Sequence, residues 1–185
     1  MSAYAVTVRA ATTEDVPAIQ AIYAPVVHDS FASFEQAAPN VAEVTRRMLA
    51  RPRLPWLVAD DAGRVAGYAY ASPHRQRPGY RWSAEVSVYL DGAYHRRGIA
   101  RALYERLIAE VTDLGYVAAF AAIALPNEAS VALHEALGFV PVGVFRDIGF
   151  KSGGWHDVGW WQRLLRDPPP TPDEPREWTP TTSVE

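Results

Sequence analysis

Hydrophobic and polar positions follow two periods along the chain, and together they predict a mixed α/β fold. Residues 85–90 alternate apolar side chains with polar or aromatic ones, which is typical of a half-buried strand. From Ile99 to Val111, apolar residues recur every fourth position, as an amphipathic helix requires. A short turn with glycine and arginine lies between them, so this stretch predicts a strand, a basic turn and the start of a helix.

The same two periods predict strands and helices along most of the remaining chain. Further strands are predicted at 4–9, 56–59, 64–71, 116–124, 140–145 and 158–164, and further helices around 13–26, 40–48 and 127–138. Residues 28–40 show neither period and are predicted to form a loop, as are residues 72–81 and 151–157. The order of strand, helix, helix, three strands, helix, strand, helix and two strands fits a mixed α/β sheet.

Composition limits the domain organisation. The chain has 185 residues, of which 49% are hydrophobic, enough for one domain with a full core. We expect that domain to span residues 1–166. Residues 167–185 contain six of the fifteen prolines and five acidic residues against one arginine, so a disordered acidic tail is predicted there.

Charge and residue usage exclude several classes of function. The net charge of -3 gives no reason to expect nucleic acid or an anionic membrane as a partner. The chain has no cysteine, which excludes disulfides, thiolate metal ligands and a cysteine nucleophile. No apolar run approaches the roughly 20 residues of a membrane span, and the first residues lack a secretory signal pattern. We therefore expect a cytoplasmic protein.

The basic turn is a candidate anion site. The first N–H groups of a helix have no partner within the helix, and they carry the positive end of its dipole. Gly98 and Ala100 leave the backbone accessible to a phosphate, and Arg96, Arg97 and Arg101 add positive charge. An ordinary solvated basic turn would have the same composition, so the pattern alone leaves both interpretations open.

Two motifs resemble those of a known enzyme family. Residues 95–100 resemble the Q/R-x-x-G-x-G/A signature of the GNAT N-acetyltransferases, with His95 where Gln or Arg is usual. Residues 127–139 resemble the second signature of that family, in which an Asn is followed seven positions later by a Tyr; here these positions are Asn127 and His134. Residues 80–89, 125–138 and 149–162 further resemble the phosphinothricin and methionine sulfoximine acetyltransferases.

The resemblance implies a GNAT-type fold, a mixed and mostly antiparallel sheet flanked by helices, with acetyl-CoA as co-substrate and no metal. It implies a homodimer that acetylates a small-molecule amine. The implied catalytic residues are Glu85 as general base and His134 as a proton or hydrogen-bond donor to the departing thiolate. The implied cofactor-binding residues are Val88, Tyr89, Leu90, Arg96, Arg97, Gly98, Ile99, Ala100, Arg101 and Asn127.

The substrate site is expected near the loop that precedes Glu85. Arg75 and Arg77 could bind a carboxylate or phosphinate through their guanidinium groups, and Tyr80 and Phe34 complete the predicted pocket. Each has a simpler explanation, since most exposed arginines are solvated and most loop phenylalanines pack into the core. A histidine on an apolar helix face, such as His134, is also commonly a core residue, and a strand glutamate such as Glu85 is often merely solvated.

Other functions remain open at this point. A GNAT-like module that binds CoA without turnover would be expected to lack a base or an acid, and this chain has candidates for both. An acetyltransferase for proteins or peptides would favour an open acidic groove, whereas the loop before Glu85 is basic. His156, in the motif Trp155-His156-Asp157, is predicted to have a structural role in the last hairpin.

Overall fold

A computed structural model of the protein describes residues 6–180. The predicted order of strands and helices is confirmed. The elements are β1 (Thr7–Ala10), α1 (Val16–Asp29), α2 (Val41–Met48), β2 (Trp56–Asp61), β3 (Arg64–Pro73), β4 (Ser83–Leu90), α3 (Ile99–Asp113), β5 (Ala118–Leu125), α4 (Glu128–Ala136), β6 (Val140–Lys151) and β7 (Gly154–Leu164).

These strands form one seven-stranded sheet in the order β1-β2-β3-β4-β5-β7-β6. Each neighbouring pair is antiparallel except β4 and β5, which are parallel and are connected through α3. A parallel connection needs a crossover, and α3 packs against β2, β3 and β4. The predicted GNAT-type sheet, mixed and mostly antiparallel, is thus confirmed.

Helices on both faces of the sheet bury two hydrophobic clusters. On one face, the four-residue spacing of α3 places Leu103, Leu107 and Val111 in the core, with no exposed surface. On the other face, α1 and α2 pack against the sheet through Ile19 and Val44. Asn40 caps α2, because its side chain accepts a hydrogen bond from the backbone N–H of Glu43.

Several boundaries differ from the sequence prediction. The first strand was predicted from residue 4, and residues 4 and 5 lie outside the described residues. Helix α1 continues to Asp29, so the following loop begins two residues later than predicted. The last hairpin is longer than predicted, since β6 and β7 extend through most of the predicted loop at 151–157. Only Ser152 and Gly153, both with positive φ, form its turn.

The segment after residue 166 differs from its prediction. Residues 167–180 contain no helix or strand, as expected, but they pack against the body of the protein. Trp178 is only 6% exposed, and its indole N–H donates to Glu110 at 2.6 Å. The Asp173 carbonyl accepts a hydrogen bond from the Trp82 indole at 2.7 Å. One buried tryptophan, together with hydrogen bonds from the backbone of Arg176 and Trp178 to the body, holds this otherwise polar, proline-rich segment in place.

The described helices include none that is both long and apolar enough to cross a lipid bilayer.

Candidate active site

A cleft of about 1590 Å³ opens where β4 and β5 diverge. The two strands are paired only over three positions, from Ser83 with Ala118 to Glu85 with Phe120. Beyond Glu85, β4 remains paired with β3 and β5 with β7. Pockets for drug-sized ligands have volumes of about 300 to 1,000 Å³, so this cleft has room for a longer molecule. Its walls are formed by residues 86–90 of β4, 121–124 of β5, 98–101 of α3 and parts of α1 and α4.

One end of the cleft is the turn that precedes α3. Gly98 caps the helix in the left-handed conformation, with φ of 78°, and an added Cβ there would meet no atom within 4 Å. The first helical backbone bond runs from the N–H of Ala102 to the carbonyl of Gly98. The N–H groups of residues 99–101 therefore have no partner within the helix and remain available to an anion. This geometry fits the pyrophosphate of CoA.

The arginines of this turn differ in their surroundings. Arg96 also has positive φ, at 60°, and is exposed. Arg97 lies over the ring of Tyr94, with its Cζ 5.2 Å from the ring centroid. Arg101 donates to Glu105 at 2.8 Å in an exposed ion pair. Exposed pairs of this kind contribute at most about 1 kcal/mol, so Arg101 can exchange Glu105 for a phosphate at little cost.

Three of the residues predicted to bind the cofactor lie on the open edge of β4. Val88, Tyr89 and Leu90 pair with β3 but have no partner on β5, so their backbone groups on that side face the cleft. The Tyr89 ring packs instead against Tyr23, with centroids 4.9 Å apart. These three residues therefore offer the cleft a backbone edge, as a ligand with amide groups would require.

Glu85 lies at the point where the strands begin to separate. It pairs with Ser72 on β3 and Phe120 on β5, and its side chain is 31% exposed. The carboxylate Oε1 is 2.9 Å from His74 Nδ1. Burial raises the pKa of Glu85 above its usual value, and the hydrogen bond from His74 and the charge of Arg75 partly oppose that shift. A carboxylate with a raised pKa is suited to accept a proton near neutral pH.

His134 is buried on α4, with 3% exposure, and both ring nitrogens have partners. Nδ1 lies 2.7 Å from the carbonyl of Ser130, which can only accept, so Nδ1 carries the proton. Nε2 then accepts from the hydroxyl of Tyr104 at 3.0 Å. Burial also lowers the pKa of His134 below 6.5, which keeps the ring neutral at pH 7. In this arrangement the Tyr104 hydroxyl, and not His134 Nε2, carries the proton of their shared hydrogen bond.

Asn127 caps α4, its side chain accepting from the backbone N–H of Ser130 at 3.1 Å. Both Asn127 and His134 line the cleft, so the structure brings together the two positions of the second motif. The cap occupies the side-chain oxygen of Asn127 and leaves its NH2 group free to donate to a ligand.

The predicted substrate residues are not all equally close to Glu85. Arg75 lies over the ring of Trp160, 5.7 Å from its centroid, and its charge acts on Glu85. Arg77 and Tyr80 are exposed on the same loop. Phe34 does not enter the main core, because it packs against the last hairpin at Gly149, where an added Cβ would lie 2.2 Å from its ring.

The loop that carries Phe34 is fixed to the hairpin by further contacts. Phe31 stacks on His156, with centroids 4.3 Å apart. His156 Nε2 is 3.0 Å from the carbonyl of Lys151. The ammonium group of Lys151 is buried and donates to the carbonyls of Val27 and Ser33 at 2.7 and 2.5 Å. These contacts agree with a structural role for His156.

Sequence reasoning did not single out three residues that belong to this site: His74, Tyr104 and Trp160. His74 was visible only as one member of a basic loop. Tyr104 occupies a buried position of α3, where an aromatic residue is expected to be core. Trp160 belongs to a strand that is far from Glu85 in sequence. Within residues 6–180, no three His, Cys, Asp or Glu side chains cluster closely enough to hold a metal ion.

Comparison with known families identifies the fold. The model of the acetyltransferase (GNAT) domain matches residues 8–160. The chain belongs to the GNAT acetyltransferase family. It is 38% identical to the phosphinothricin N-acetyltransferase of Streptomyces viridochromogenes over 180 residues, covering 97% of this chain and 96% of that protein.

Two further similarities cover most of this acetyltransferase. The L-methionine sulfoximine/L-methionine sulfone acetyltransferase of Salmonella typhimurium is 34% identical over 161 residues, covering 86% of this chain and 94% of that enzyme. The crystal structure of a phosphinothricin acetyltransferase from Sinorhizobium meliloti in complex with acetyl-CoA is 36% identical. It superposes with a TM-score of 0.82 and covers 97% of this chain and 95% of that one.

The geometry of the basic turn predicts how one glycine substitution affects acetyl-CoA binding, and a second glycine serves as its control. We expect Gly98→Val to weaken the binding of acetyl-CoA on the order of tenfold or more, equivalent to about 1.4 kcal/mol, because its side chain would fill the space beside the free N–H groups. Isothermal titration calorimetry with acetyl-CoA measures this. Gly153→Val is the control, because Gly153 has φ of 79° and equally open surroundings outside the cleft. Equal losses in both variants would attribute the effect to backbone strain and remove the turn from the site.

Proposed function

We propose that this acetyltransferase transfers the acetyl group of acetyl-CoA to the α-amine of a small amino-acid analogue, such as phosphinothricin, methionine sulfoximine or methionine sulfone. The observation that carries the proposal is the position of Glu85, a carboxylate of raised pKa at the point where the cleft begins, with Arg75 beside it. Relatives named for these substrates support the choice of substrate class.

Bound acetyl-CoA would supply a thioester, whose carbonyl carbon accepts a nucleophile and whose sulfur leaves as thiolate. An α-amine has a pKa of roughly 8 or above, so it is largely an ammonium ion at neutral pH and must lose a proton before it attacks. Glu85 accepts that proton. The C–N bond then forms as the C–S bond breaks, and the second proton lost by the nitrogen neutralises the departing thiolate, so that the products are the amide and the thiol of CoA. No covalent intermediate forms on the protein.

The pair formed by Tyr104 and His134 is proposed to stabilise the departing thiolate. His134, fixed by Ser130, orients the Tyr104 hydroxyl, and both side chains line the cleft. The hydroxyl can donate to the thiolate when it turns away from Nε2. Burial raises the pKa of Tyr104, so the hydroxyl remains protonated and acts as a hydrogen-bond donor. This assignment extends the role predicted for His134 to two residues.

Residues around Glu85 also favour a small amine that carries a carboxylate or another acidic group. The guanidinium group of Arg75 can bind the α-carboxylate of an amino acid while Glu85 accepts the proton of its amine. Arg77 and Tyr80 lie on the same exposed loop and could contact the distal oxygens. Phe34 is proposed to cover the aliphatic carbons of the substrate. A peptide N-terminus has no free α-carboxylate beside its amine, so this arrangement favours a free amino acid over the alternative protein substrate.

A homodimer is proposed from the outer strand of the sheet. Strand β6 lies at the edge of the sheet and has a free backbone edge. Long apolar edges favour association with another chain. We propose a second copy of this chain as the partner. The exposed apolar residues of β6 are Val140, Val142, Val144, Phe145, Ile148 and Phe150.

The base assignment predicts a particular pH dependence. Glu85→Gln is expected to lose activity mainly below about pH 8, where the amine still needs to be deprotonated. The variant should recover partly at higher pH, because free amine then becomes available without a base. The measurement is kcat/KM for the amine between pH 6 and pH 10. A deficit that is independent of pH would show that Glu85 positions the substrate and does not accept its proton.

The carboxylate contact predicts a substrate-dependent effect. Arg75→Ala should lower kcat/KM for amino-acid analogues by roughly one to two orders of magnitude, as expected when a charge-assisted contact of about 1.5 to 3 kcal/mol is lost. Acetyl-CoA binding should barely change. Steady-state kinetics with both substrates varied tests this, with Arg106→Ala on the exposed face of α3 as control. An equal loss with an amine that lacks the carboxylate would contradict the proposed contact.

The dimer predicts a change in mass. Val142→Lys, at an exposed position near the start of β6, is expected to shift the protein from dimer to monomer because a charge would be buried at the interface. Sedimentation equilibrium measures the mass directly. Leu49→Lys, at a similarly exposed position after α2, should leave the dimer intact. A wild-type monomer at micromolar concentration would refute the proposal.

A further inference from the structure

We propose that His74 is a positioning residue for Glu85: it binds one carboxylate oxygen and leaves the other free to accept the proton of the substrate amine. This inference rests on the proposed function, in which Glu85 is the base. It assigns a role to a residue that neither the motifs nor the cleft itself indicates.

The backbone places His74 directly beside Glu85. It follows the last residue of β3, and its N–H donates to the carbonyl of Ser83 at 3.2 Å, which continues the pairing of β3 with β4. The side chain is only 11% exposed. Its Nδ1 lies 2.9 Å from Glu85 Oε1, within the range of a charge-assisted hydrogen bond.

Two aromatic rings hold the imidazole in place. Phe120, the β5 residue paired with Glu85, stacks on His74 with centroids 4.3 Å apart and planes inclined by 11°. Trp160 of β7 meets the same imidazole edge to face, at 5.5 Å and 74°. His74 is therefore fixed by residues of β5 and β7 while it contacts β4. Because the two rings hold the imidazole in place, it does not move with the Glu85 carboxylate. Its hydrogen bond therefore restricts the rotation of that carboxylate.

The hydrogen bond from His74 gives the two carboxylate oxygens of Glu85 different roles. Oε1 is bound by His74, and within residues 6–180 no side-chain hydrogen bond is found to Oε2. In the transfer step, one proton leaves the substrate ammonium for Oε2, and the proton on His74 Nδ1 stays in its bond to Oε1. Loss of His74 would allow the carboxylate to rotate, so that productive orientation would be reached less often.

The charged and titratable groups around Glu85 define the expected effect on pH dependence. His74 and Arg75 face it from the segment after β3, and Tyr70 lies further back on β3. Its neighbours on β5 and β7, Phe120 and Trp160, are uncharged. Burial raises the pKa of Glu85, while His74 and Arg75 lower it. Removing His74 therefore raises that pKa further and moves the acidic limb of the activity profile to higher pH.

The test compares two substitutions of the same residue. His74→Phe keeps a ring to stack on Phe120 but removes the donor, whereas His74→Asn keeps a donor near the position of Nδ1. The readout is kcat/KM for the amine as a function of pH. The acidic limb of His74→Phe should move upward by about one pH unit, as expected for the loss of one charge-assisted hydrogen bond. His74→Asn should restore most of that shift.

Several controls separate this role from a merely structural one. Both variants should bind acetyl-CoA as the wild type does, and His28→Asn, an exposed residue of α1 outside the cleft, should leave the profile unchanged. An acidic limb at the wild-type pH in folded His74→Phe, or no rescue by His74→Asn, would overturn the inference. If the profile of Glu85→Gln also matched the wild type, the proposed base itself would fail. A pH-sensitive Glu85→Gln with an unaffected His74→Phe would refute His74 alone.

Discussion

The site depends on a single constraint in the sheet: its one parallel pair is held together over three positions only. Up to the pair formed by Glu85 and Phe120, β4 and β5 are paired as neighbouring strands of the sheet. Beyond that pair, each strand is stabilised on its other side, β4 by β3 and β5 by β7. The separation therefore exposes backbone groups to the cleft without releasing either strand from the sheet. Since buried backbone groups require partners, this edge favours a ligand that brings its own donors and acceptors.

The same divergence determines where the chemistry can occur. Glu85 lies at the last paired position, so its side chain is partly buried and its pKa is raised. The start of α3 lies further along the cleft, where free N–H groups and arginines fit a pyrophosphate. Tyr104 and His134, both buried, also line the cleft. A long ligand that binds along the cleft would thus place its phosphates and its reactive end against different groups of the protein.

The sequence was sufficient to predict the order of the elements, the basic turn, the strand that carries Glu85 and the helix that carries His134, because each depends on local periodicity or on a motif of about a dozen residues. It was not sufficient for His74, Tyr104 or Trp160, whose roles arise only when separate strands and helices meet. The packed segment around Trp178 was missed for a related reason. The amino-acid composition describes the average character of residues 167–185 and does not show that one tryptophan among them is buried. The hydrogen bonds of Trp178 to Glu110 and of Trp82 to Asp173 hold this segment against the body.

The central claim is that the cleft and the groups around Glu85 serve acetyl transfer to a free amino-acid analogue. The most direct measurement is the release of CoA from acetyl-CoA across a panel of amines: phosphinothricin, methionine sulfoximine, methionine sulfone, the parent amino acids, and short peptides with free N-termini. We expect turnover with one or more of the phosphinate, sulfoximine or sulfone analogues and little or none with the peptides. Efficient turnover of the peptides, with no release of CoA for any amino-acid analogue, would contradict it.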